Sequence, residues 1–288
     1  MSSAPPQPAT TPSATAHLPF TVTYFGANGW LLEMGGLRIL VDPWLVGSLV
    51  FPPGPWLFHG EMASPWPMPE ALDLLLLTQG LPDHCHPPTL ERLDRRLPVL
   101  GSPQAAARVR ALGFEQVEAL SPGQSRAVAS QGGESLCIEA TAGAAVPMVE
   151  NGYLLSHSSA SLYLEPHGFL PGPEQLPPRP LDVVITPVVD LGLPVAGAFV
   201  KGRSVLPELM RRFQPHTVLA STSGGDVRYS SLLSRLLWQK GSAAEAGASL
   251  QAAAAGMGQG DPISPWNSQG PGGNTREPTS QGSTRMRR

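Results

Sequence analysis

The chain has 288 residues and a formal net charge of −3, because 19 Lys and Arg residues nearly balance 22 Asp and Glu residues. This balance excludes a strongly basic nucleic-acid-binding protein, and a hydrophobic content of 41% excludes a highly charged disordered chain. The 31 glycines and 33 prolines are about twice the usual share, which predicts a chain rich in loops or partly disordered.

Residues 1–18 are mainly Ser, Thr, Ala, Pro and Gln, a composition that predicts a disordered arm. The arm is hydroxyl-rich and acid-poor, as plastid transit peptides are, but it lacks their arginines, so a plastid and a cytoplasmic location both stay open. The chain shows neither a secretory signal nor an apolar run long enough to cross a membrane. It is therefore predicted to be neither secreted nor an integral membrane protein.

Three strands are predicted at 21–25, 30–34 and 37–41, where β-branched, aromatic and aliphatic residues alternate with Gly-rich turns. Asp42-Pro43 ends the third strand. Residues 44–70 combine Trp and Pro without any period, which predicts a long ordered loop that covers apolar surface.

A continuous apolar strand is predicted at 73–78, and Pro87 and Pro88 predict the start of a helix. The elements predicted after it are a helix at 103–112, four or five short strands between 115 and 165, a buried strand at 181–186, and helices at 203–213 and 226–239. The ordered domain is thus predicted to span 19–240, and a disordered, low-complexity tail to span 241–288.

The strongest chemical signal is the segment Gln79-Gly80-Leu81-Pro82-Asp83-His84-Cys85-His86. It lies between a buried strand and a helix, where open sheets present functional groups. Together with the strand that ends in Asp42-Pro43, it resembles the metallo-β-lactamase superfamily, whose metal motif reads His-x-His-x-Asp-His. Residues 78–86 match the pattern Thr-Gln-Gly-Leu-x-Asp-His-x-His of plant and cyanobacterial homologues in the ascorbate-phosphate-lactonase-like branch.

The resemblance implies an α/β fold of the α+β type, a four-layer αββα sandwich. It also implies a degenerate metal site that holds at most one zinc or iron ion. Gln79 and Leu81 stand where the family has its first two histidines, and Ala144 stands where it has the next one. Asp83 and His84 are retained, and His167 lies near the position of a later family ligand.

Asp83, His84 and His167 would make an Asp/His/His site with an open position, which suits catalytic zinc or iron(II). His86 is a further candidate ligand, and Asp42 is expected to orient a ligating imidazole. Three more residues are predicted near the pocket, namely Gln79, Cys85 and Asp190. This hypothesis requires the ligating atoms of the three main residues to converge within about 4–5 Å.

Other interpretations of these residues stay open. Asp83 could cap the following helix, and His84, His86 or His167 could be hydrogen-bonded structural histidines. Cys85 is either a thiolate nucleophile or a small buried hydrophobe, and Cys137 is predicted to lie in the core. Two cysteines are too few for a disulfide framework, so both are predicted to be free thiols in a reducing compartment.

Three functions follow from these alternatives. The first is a metal-dependent hydrolase of a small ester, lactone or phosphoester, with Asp83 and His84 as catalytic residues. The second is an inactive binding or regulatory module whose loop at 44–70 covers a ligand or partner site. The third is a metal-free hydrolase that uses Asp83 as general base with His84 or His86. A small-molecule substrate or ligand is expected, and no nucleic acid.

Overall fold

A computed structural model describes residues 20–130, 132–145, 149–222, 226–256 and 283–285. The predicted arm 1–18 lies outside these residues, as does most of the predicted tail. The described helices are α1 (Pro87–Leu90), α2 (Pro103–Ala111), α3 (Gly202–Phe213), α4 (Leu232–Leu236) and α5 (Ala243–Gly256). None of these helices is long and apolar enough to cross a membrane.

The described strands divide between two large sheets and two small ones. The strands are β1 (Thr21–Gly26), β2 (Gly29–Met34), β3 (Leu37–Val41), β4 (Leu49–Val50), β5 (His59–Met62), β6 (Leu74–Leu77), β7 (Val99–Gly101), β8 (Val117–Ala119), β9 (Ser125–Ala129), β10 (Ser135–Ala145), β11 (Val149–His157), β12 (Ala160–Leu164), β13 (Val183–Pro187), β14 (Asp190–Leu193), β15 (Gly197–Lys201), β16 (Thr217–Ser221), β17 (Val227–Tyr229), β18 (Trp238–Lys240) and β19 (Ser283–Arg285).

The first large sheet begins as the predicted antiparallel meander of β1, β2 and β3, with Gly35 and Gly36 at positive φ in the second turn. It continues with β6, β7 and β8, each parallel to its neighbour. Strand β19 pairs with the free edge of β1. Within the described residues the order is β19-β1-β2-β3-β6-β7-β8.

The second large sheet has the order β16-β13-β12-β11-β10-β9 within the described part of the chain. Strands β9 to β12 are antiparallel, whereas β12, β13 and β16 run parallel. The main core lies between the two sheets, where side chains such as Leu32 and Ile39 meet Ile138 and Leu162 in one buried cluster.

Helices cover the outer faces of both sheets, because each sheet presents apolar side chains on that face too. Leu75 and Leu77 of β6 pack with Leu90 of α1 and Val109 of α2. On the other sheet, Val184 of β13 packs in one cluster with residues of α3. The fold is therefore the predicted four-layer αββα sandwich.

The loop at 44–70 contains two short strands and packs onto the domain. Strand β5 lies between β4 and β17, and together they form a small three-stranded sheet among the described residues. Trp44 is buried, and Trp66 packs edge-to-face on Phe25, as expected of a cover over apolar surface.

The predicted helix at 226–239 is wrong. Only residues 232–236 are helical, and strands β17 and β18 flank them. The apolar period is real, but Tyr229 pairs with Gly60 across the small sheet, and Leu232 and Leu236 remain exposed. Tertiary strand pairing therefore overrides the helical pattern.

Two further expectations need correction. The predicted disordered tail begins too early, because α5 is helical and buries Ala246 and Leu250 against Leu206 and Met210 of α3. Cys137 lies in a strand, as expected, but it is exposed rather than in the core. Its neighbours Leu136 and Ile138 point inward, so the strand alternation turns Cys137 to the outer face.

Candidate metal centre

Both large sheets bring polar side chains to one end of the sandwich. Asp42 directly follows β3, and Asp83 and His84 follow its parallel neighbour β6. Glu150 is the second residue of β11, and Glu165 directly follows β12, its antiparallel neighbour. The ends of these strands lie side by side, so residues far apart in sequence meet there.

Direct bonds join the two sheets at this end. The Asn151 backbone N–H donates to the Thr78 carbonyl over 3.0 Å, and the Tyr153 hydroxyl donates to the Leu77 carbonyl over 2.9 Å. Both donors belong to β11, and both acceptors lie at the end of β6. The two halves of the site are therefore held in a fixed relative position.

His84 is completely buried and fixed from both sides. Its Nδ1 donates to Asp42 Oδ2 over 2.8 Å, and Asp42 also accepts hydrogen bonds from the backbone N–H and the hydroxyl of Thr78. The other ring nitrogen, Nε2, lies 3.2 Å from Asp83 Oδ2 and 3.3 Å from Asn28 Nδ2. Asp42 therefore holds the imidazole with Nε2 facing the site.

We call Asp83, His84 and His167 the first ligand group. One potential ligand atom from each lies within 4.8 Å of the other two, and the two imidazole centroids are 5.2 Å apart. This meets the convergence condition set from the sequence. Asp83 does not cap α1, because the N-cap position is His86 and no side chain caps it.

We call Glu150, Glu165 and His167 the second ligand group, whose ligand atoms also lie within 4.8 Å of one another. His167 is shared with the first group. Sequence reasoning missed both glutamates. Ala144, which the family resemblance aligns with a histidine, donates its backbone N–H to Glu150 Oε1 over 3.2 Å, so a carboxylate of the next strand lies beside it.

Two glycines make room for these glutamates. A Cβ on Gly143 would lie 2.7 Å from Glu150 Cγ, and a Cβ on Gly152 would lie 3.2 Å from Glu165 Cγ and 2.6 Å from Thr141 Oγ1. Any larger residue at either position would push a carboxylate out of place. The sequence signal that could have found the site is a single Glu at the start of an otherwise uncharged strand (Glu150) and another directly after an uncharged strand (Glu165).

Charges at the first ligand group support one another. Burial alone would raise the pKa of Asp83, but His84 and His167 hold it below its ordinary value. Burial would also lower the pKa of His84, but Asp83 and Asp42 raise it well above its ordinary value. The pKa of His167 is lowered, first by burial and then by the charge of His84.

At the second ligand group, the nearby histidines do not offset the effect of burial on the carboxyl groups. Burial raises the pKa of Glu150 to about 8. Burial and the neighbouring Glu150 raise the pKa of Glu165 to about 8 as well. Two carboxyl groups close together in a low-dielectric site cannot both ionise without a counter-charge.

Several polar atoms of both groups are buried without a hydrogen-bond partner, which is costly in a protein interior. They are Asp83 Oδ1, Glu150 Oε2, Glu165 Oε1 and His167 Nδ1. His167 Nδ1 lies 2.8 Å from Glu150 Oε1 but is not aligned for a hydrogen bond. Buried oxygen and nitrogen atoms without a partner are candidate ligand atoms for a divalent cation.

Four other candidates serve different purposes. His86, expected as a ligand, is engaged elsewhere, with Nδ1 3.0 Å from Thr89 Oγ1 and Nε2 3.1 Å from the Ser48 carbonyl. Asp190 accepts hydrogen bonds from the N–H and hydroxyl of Ser204 at the start of α3. Gln79 is completely buried beside Thr78.

Cys85 is the fourth, and it behaves as a small buried hydrophobe. It belongs to the apolar cluster between the first sheet and its helices. Burial raises the pKa of its thiol to about 12, so the thiolate needed for a nucleophile is not formed near neutral pH.

Comparisons with known proteins identify the family of the chain. A family model described as a Beta-lactamase superfamily domain matches residues 21–221, most of the chain. The chain belongs to the metallo-β-lactamase superfamily. Among similar proteins, the cytidine monophosphate-N-acetylneuraminic acid hydroxylase of Asterias rubens is 35% identical over 77 residues, which are 27% of this chain and 12% of that protein. The chain thus matches only a small part of this curated relative.

Solved structures share the fold at low sequence identity. An isothiocyanate hydrolase from Delia radicum gut bacteria aligns with 70% of this chain and 84% of its own, at 16% identity and a TM-score of 0.55. CmlA, a diiron β-hydroxylase from Streptomyces venezuelae, aligns with 72% of this chain and 45% of its own, at 18% identity and a TM-score of 0.50. These likenesses describe the fold of this superfamily member and leave its chemistry to its own residues.

Proposed function

We propose that this protein is a metal-dependent hydrolase of a small ester, lactone or phosphoester, with one zinc or iron ion held by the first ligand group. The observation that carries the proposal is the convergence of Asp83, His84 and His167 within 4.8 Å. Two imidazoles and one carboxylate form a ligand set that both zinc and iron(II) accept.

The residues fit a cation on chemical grounds. Among the described residues, the ion pairs of Asp42, Asp83 and Glu150 are all with histidines. Their carboxylates are buried or nearly so, and no Lys or Arg from the described part of the chain neutralises them. A divalent cation would supply the missing positive charge and satisfy the unpaired oxygens.

Each residue then has a defined role. Asp42 holds the proton on His84 Nδ1, so a cation that displaces the proton from Nε2 would meet the Nε2 lone pair. Asp83 is 22% exposed and ionised, so it can bind on one side and accept a proton from water on the other. A divalent cation held there would supply Lewis-acid activation of water near neutral pH. The glutamates of the second group would orient the substrate or hold protons.

Metal content tests this proposal. The full chain, purified without chelators or a His-tag, is expected to contain about one zinc or iron ion by mass spectrometry. An Asp83→Ala/His84→Ala double variant should lose it, whereas His216→Ala, a change at an exposed histidine, should retain it. The metal-loaded protein is then screened against esters, lactones and phosphoesters.

Less than about a tenth of an ion per chain, unchanged after incubation with zinc, iron or manganese, would overturn the metal-dependent hydrolase. The inactive binding module and the metal-free hydrolase with Asp83 as general base would then remain. Turnover of an ester by the metal-free protein, lost in Asp83→Asn, would distinguish these two.

A second candidate is an oxygen-dependent hydroxylase with two iron ions. The observation that favours it is the second ligand group, because two buried glutamates beside a shared histidine add a carboxylate-rich pair of ligands to the first. Two of the similar proteins are named as hydroxylases, and one of these is a diiron enzyme. About two irons per chain, reduced to one in Glu150→Gln, would favour this candidate over the mononuclear hydrolase.

A further inference from the structure

A cleft of about 530 Å³ opens beside the small sheet of β4, β5 and β17. We call it the aromatic cleft; its lining residues are Trp56, Tyr229, Ser230, Ser231, Leu232, Ser234 and Arg235. None of these lining residues belongs to either ligand group.

One wall of the cleft is formed by large apolar side chains that are exposed. Trp56 is 62% exposed, Leu232 is 50% exposed and Tyr229 is 44% exposed. Single exposed apolar residues are ordinary, but a contiguous group that includes Trp and Tyr is typical of a binding surface. Phe58 supports the wall from behind, with its ring centroid 5.5 Å from that of Tyr229.

The two sides of the cleft are bound to each other through the backbone. Ser230 N–H donates to the His59 carbonyl over 3.0 Å, and Leu232 N–H donates to the Trp56 carbonyl over 3.1 Å. Ser231 and Ser234 cap α4 reciprocally. The aromatic rings are therefore presented by a preformed frame, which reduces the entropy lost when a ligand binds.

Arg235 supplies the positive charge of the cleft. It is exposed and makes no ion pair or hydrogen bond with any residue in the described part of the chain. An unpaired guanidinium beside Trp and Tyr rings matches a ligand that carries both a flat ring and a carboxylate or phosphate. Such a ligand would stack on Trp56 and form a charge-assisted bond to Arg235.

Tyr229 joins the cleft to the body of the domain. A Cβ on Gly60 would lie 3.0 Å from both Trp44 Cη2 and Tyr229 Cε1, so the two rings lie close together. The Trp44 ring centroid is in turn 6.0 Å from that of His86.

We propose that the aromatic cleft binds a small ring-bearing anion, an aromatic carboxylate or phosphate, with its ring on Trp56 and Tyr229 and its charge on Arg235. This binding site goes beyond the proposed function, and it does not depend on it.

The test measures binding with probes that the protein cannot hydrolyse. The full chain is titrated with 2-naphthoate, and the indole N–H signals are followed by NMR. 2-Naphthoate is expected to bind with a Kd below about 1 mM, whereas 2-naphthol, which lacks the charge, and acetate, which lacks the ring, should bind at least about fivefold more weakly. Phenylphosphonate should compete with 2-naphthoate.

Variants of the cleft locate the binding. Trp56→Ala and Arg235→Gln should each weaken 2-naphthoate binding about fivefold or more, and Arg235→Lys should restore part of the loss. Arg228→Gln is the matched control, because it removes the same charge from the neighbouring strand outside the cleft. No saturation at 10 mM (about tenfold above the expected limit), equal binding of 2-naphthol, or equal losses in Arg235→Gln and Arg228→Gln would each overturn the proposal.

The same samples separate this proposal from the metal site. Asp83→Ala/His84→Ala should still bind 2-naphthoate, and Trp56→Ala should keep the metal content of the parent protein. Loss of 2-naphthoate binding together with the metal would show that the probe binds at the ligand groups, and it would overturn the cleft. An unchanged metal content in the double variant would instead contradict the metal-dependent function and leave the cleft standing.

Discussion

The half of the metal centre that comes from the first sheet differs from the half that comes from the second. In the first, Asp42 accepts hydrogen bonds from Thr78 and His84, so its buried charge is satisfied by the protein itself. In the second, Glu150 Oε2 and Glu165 Oε1 are buried without a partner, although Glu150 Oε1 accepts the Ala144 N–H and Glu165 Oε2 accepts the N–H groups of His167 and Phe169. The hydrogen-bonded network of Asp42, Thr78 and His84 in the first half is therefore preassembled by the chain, whereas the two glutamates, like Asp83 Oδ1, lack a partner that a cation would supply.

The largest effect is expected from breaking the preassembled half. Asp42→Ala should lower the free energy of unfolding by about 3–5 kcal/mol, because it leaves a buried histidine and a backbone N–H without their acceptor. Metal content should fall as well. Urea unfolding measures the change, with Asp73→Ala as a control at the other end of the neighbouring strand. A loss under about 1 kcal/mol would show that this half is not held by Asp42.

A smaller effect of opposite sign is expected in the other half. Glu165→Gln should raise the melting temperature of the metal-free protein at pH 9 by about 2–4 °C, since a neutral amide replaces a carboxylate that burial disfavours. The same variant should hold less metal. Exposed Glu174→Gln is the control for both readouts, and a destabilised Glu165→Gln protein that keeps its full metal content would contradict the comparison.

The pH dependence of stability should show the same asymmetry. The pKa values of Glu150 and Glu165 are about 8 in the folded state, above their ordinary value of 4.5. A carboxyl group whose pKa is higher in the folded than in the unfolded state stabilises the fold below its unfolded-state pKa. This stabilisation is lost as the pH rises through its folded-state pKa. Thermal unfolding in EDTA should therefore show decreasing stability from about pH 5 to pH 9, and added zinc should reduce the slope. A flat or rising profile in EDTA would contradict this account.

The smallest effect is expected at the thiols, where metal removal should change nothing. Exposed Cys137 should react rapidly with a thiol reagent, whereas Cys85, completely buried beside His84, should react only after unfolding. Because the first half is preassembled, EDTA should not expose Cys85. Rapid labelling of both thiols in EDTA would show that the cation, and not the chain, orders this half.

The sequence predicted that Asp42, Asp83 and His84 lie at one end of the first sheet, because the information for this placement is local. Asp83 and His84 are adjacent and follow a strand, and Asp42 ends the parallel neighbour, so the strand pattern alone brings them to one edge. His167 came from the family resemblance. The αββα sandwich was predicted from the same order of strands, because the family resemblance depends on the strand order more than on the ligand residues.

The rest depends on tertiary contacts. Glu150 meets the backbone of Ala144 from a neighbouring strand, a contact that the sequence around position 144 does not reveal. His86 resembles a ligand by spacing, yet the ring turns to Thr89 and Ser48. The apolar period at 226–239 matches a helix, but pairing of β17 with β5 breaks it. In each case a partner distant in sequence decides the outcome.

The bonds from β11 to the end of β6 also affect how the protein folds. Residues 83–84 and residues 150–167 belong to different sheets, so neither half of the chain can form the complete ligand set alone. The set exists only after a long chain segment has closed and the two sheets have docked, and such non-local pairing is slow. The moment at which a cation binds during refolding would therefore report the docking of the two sheets, separately from the formation of either sheet.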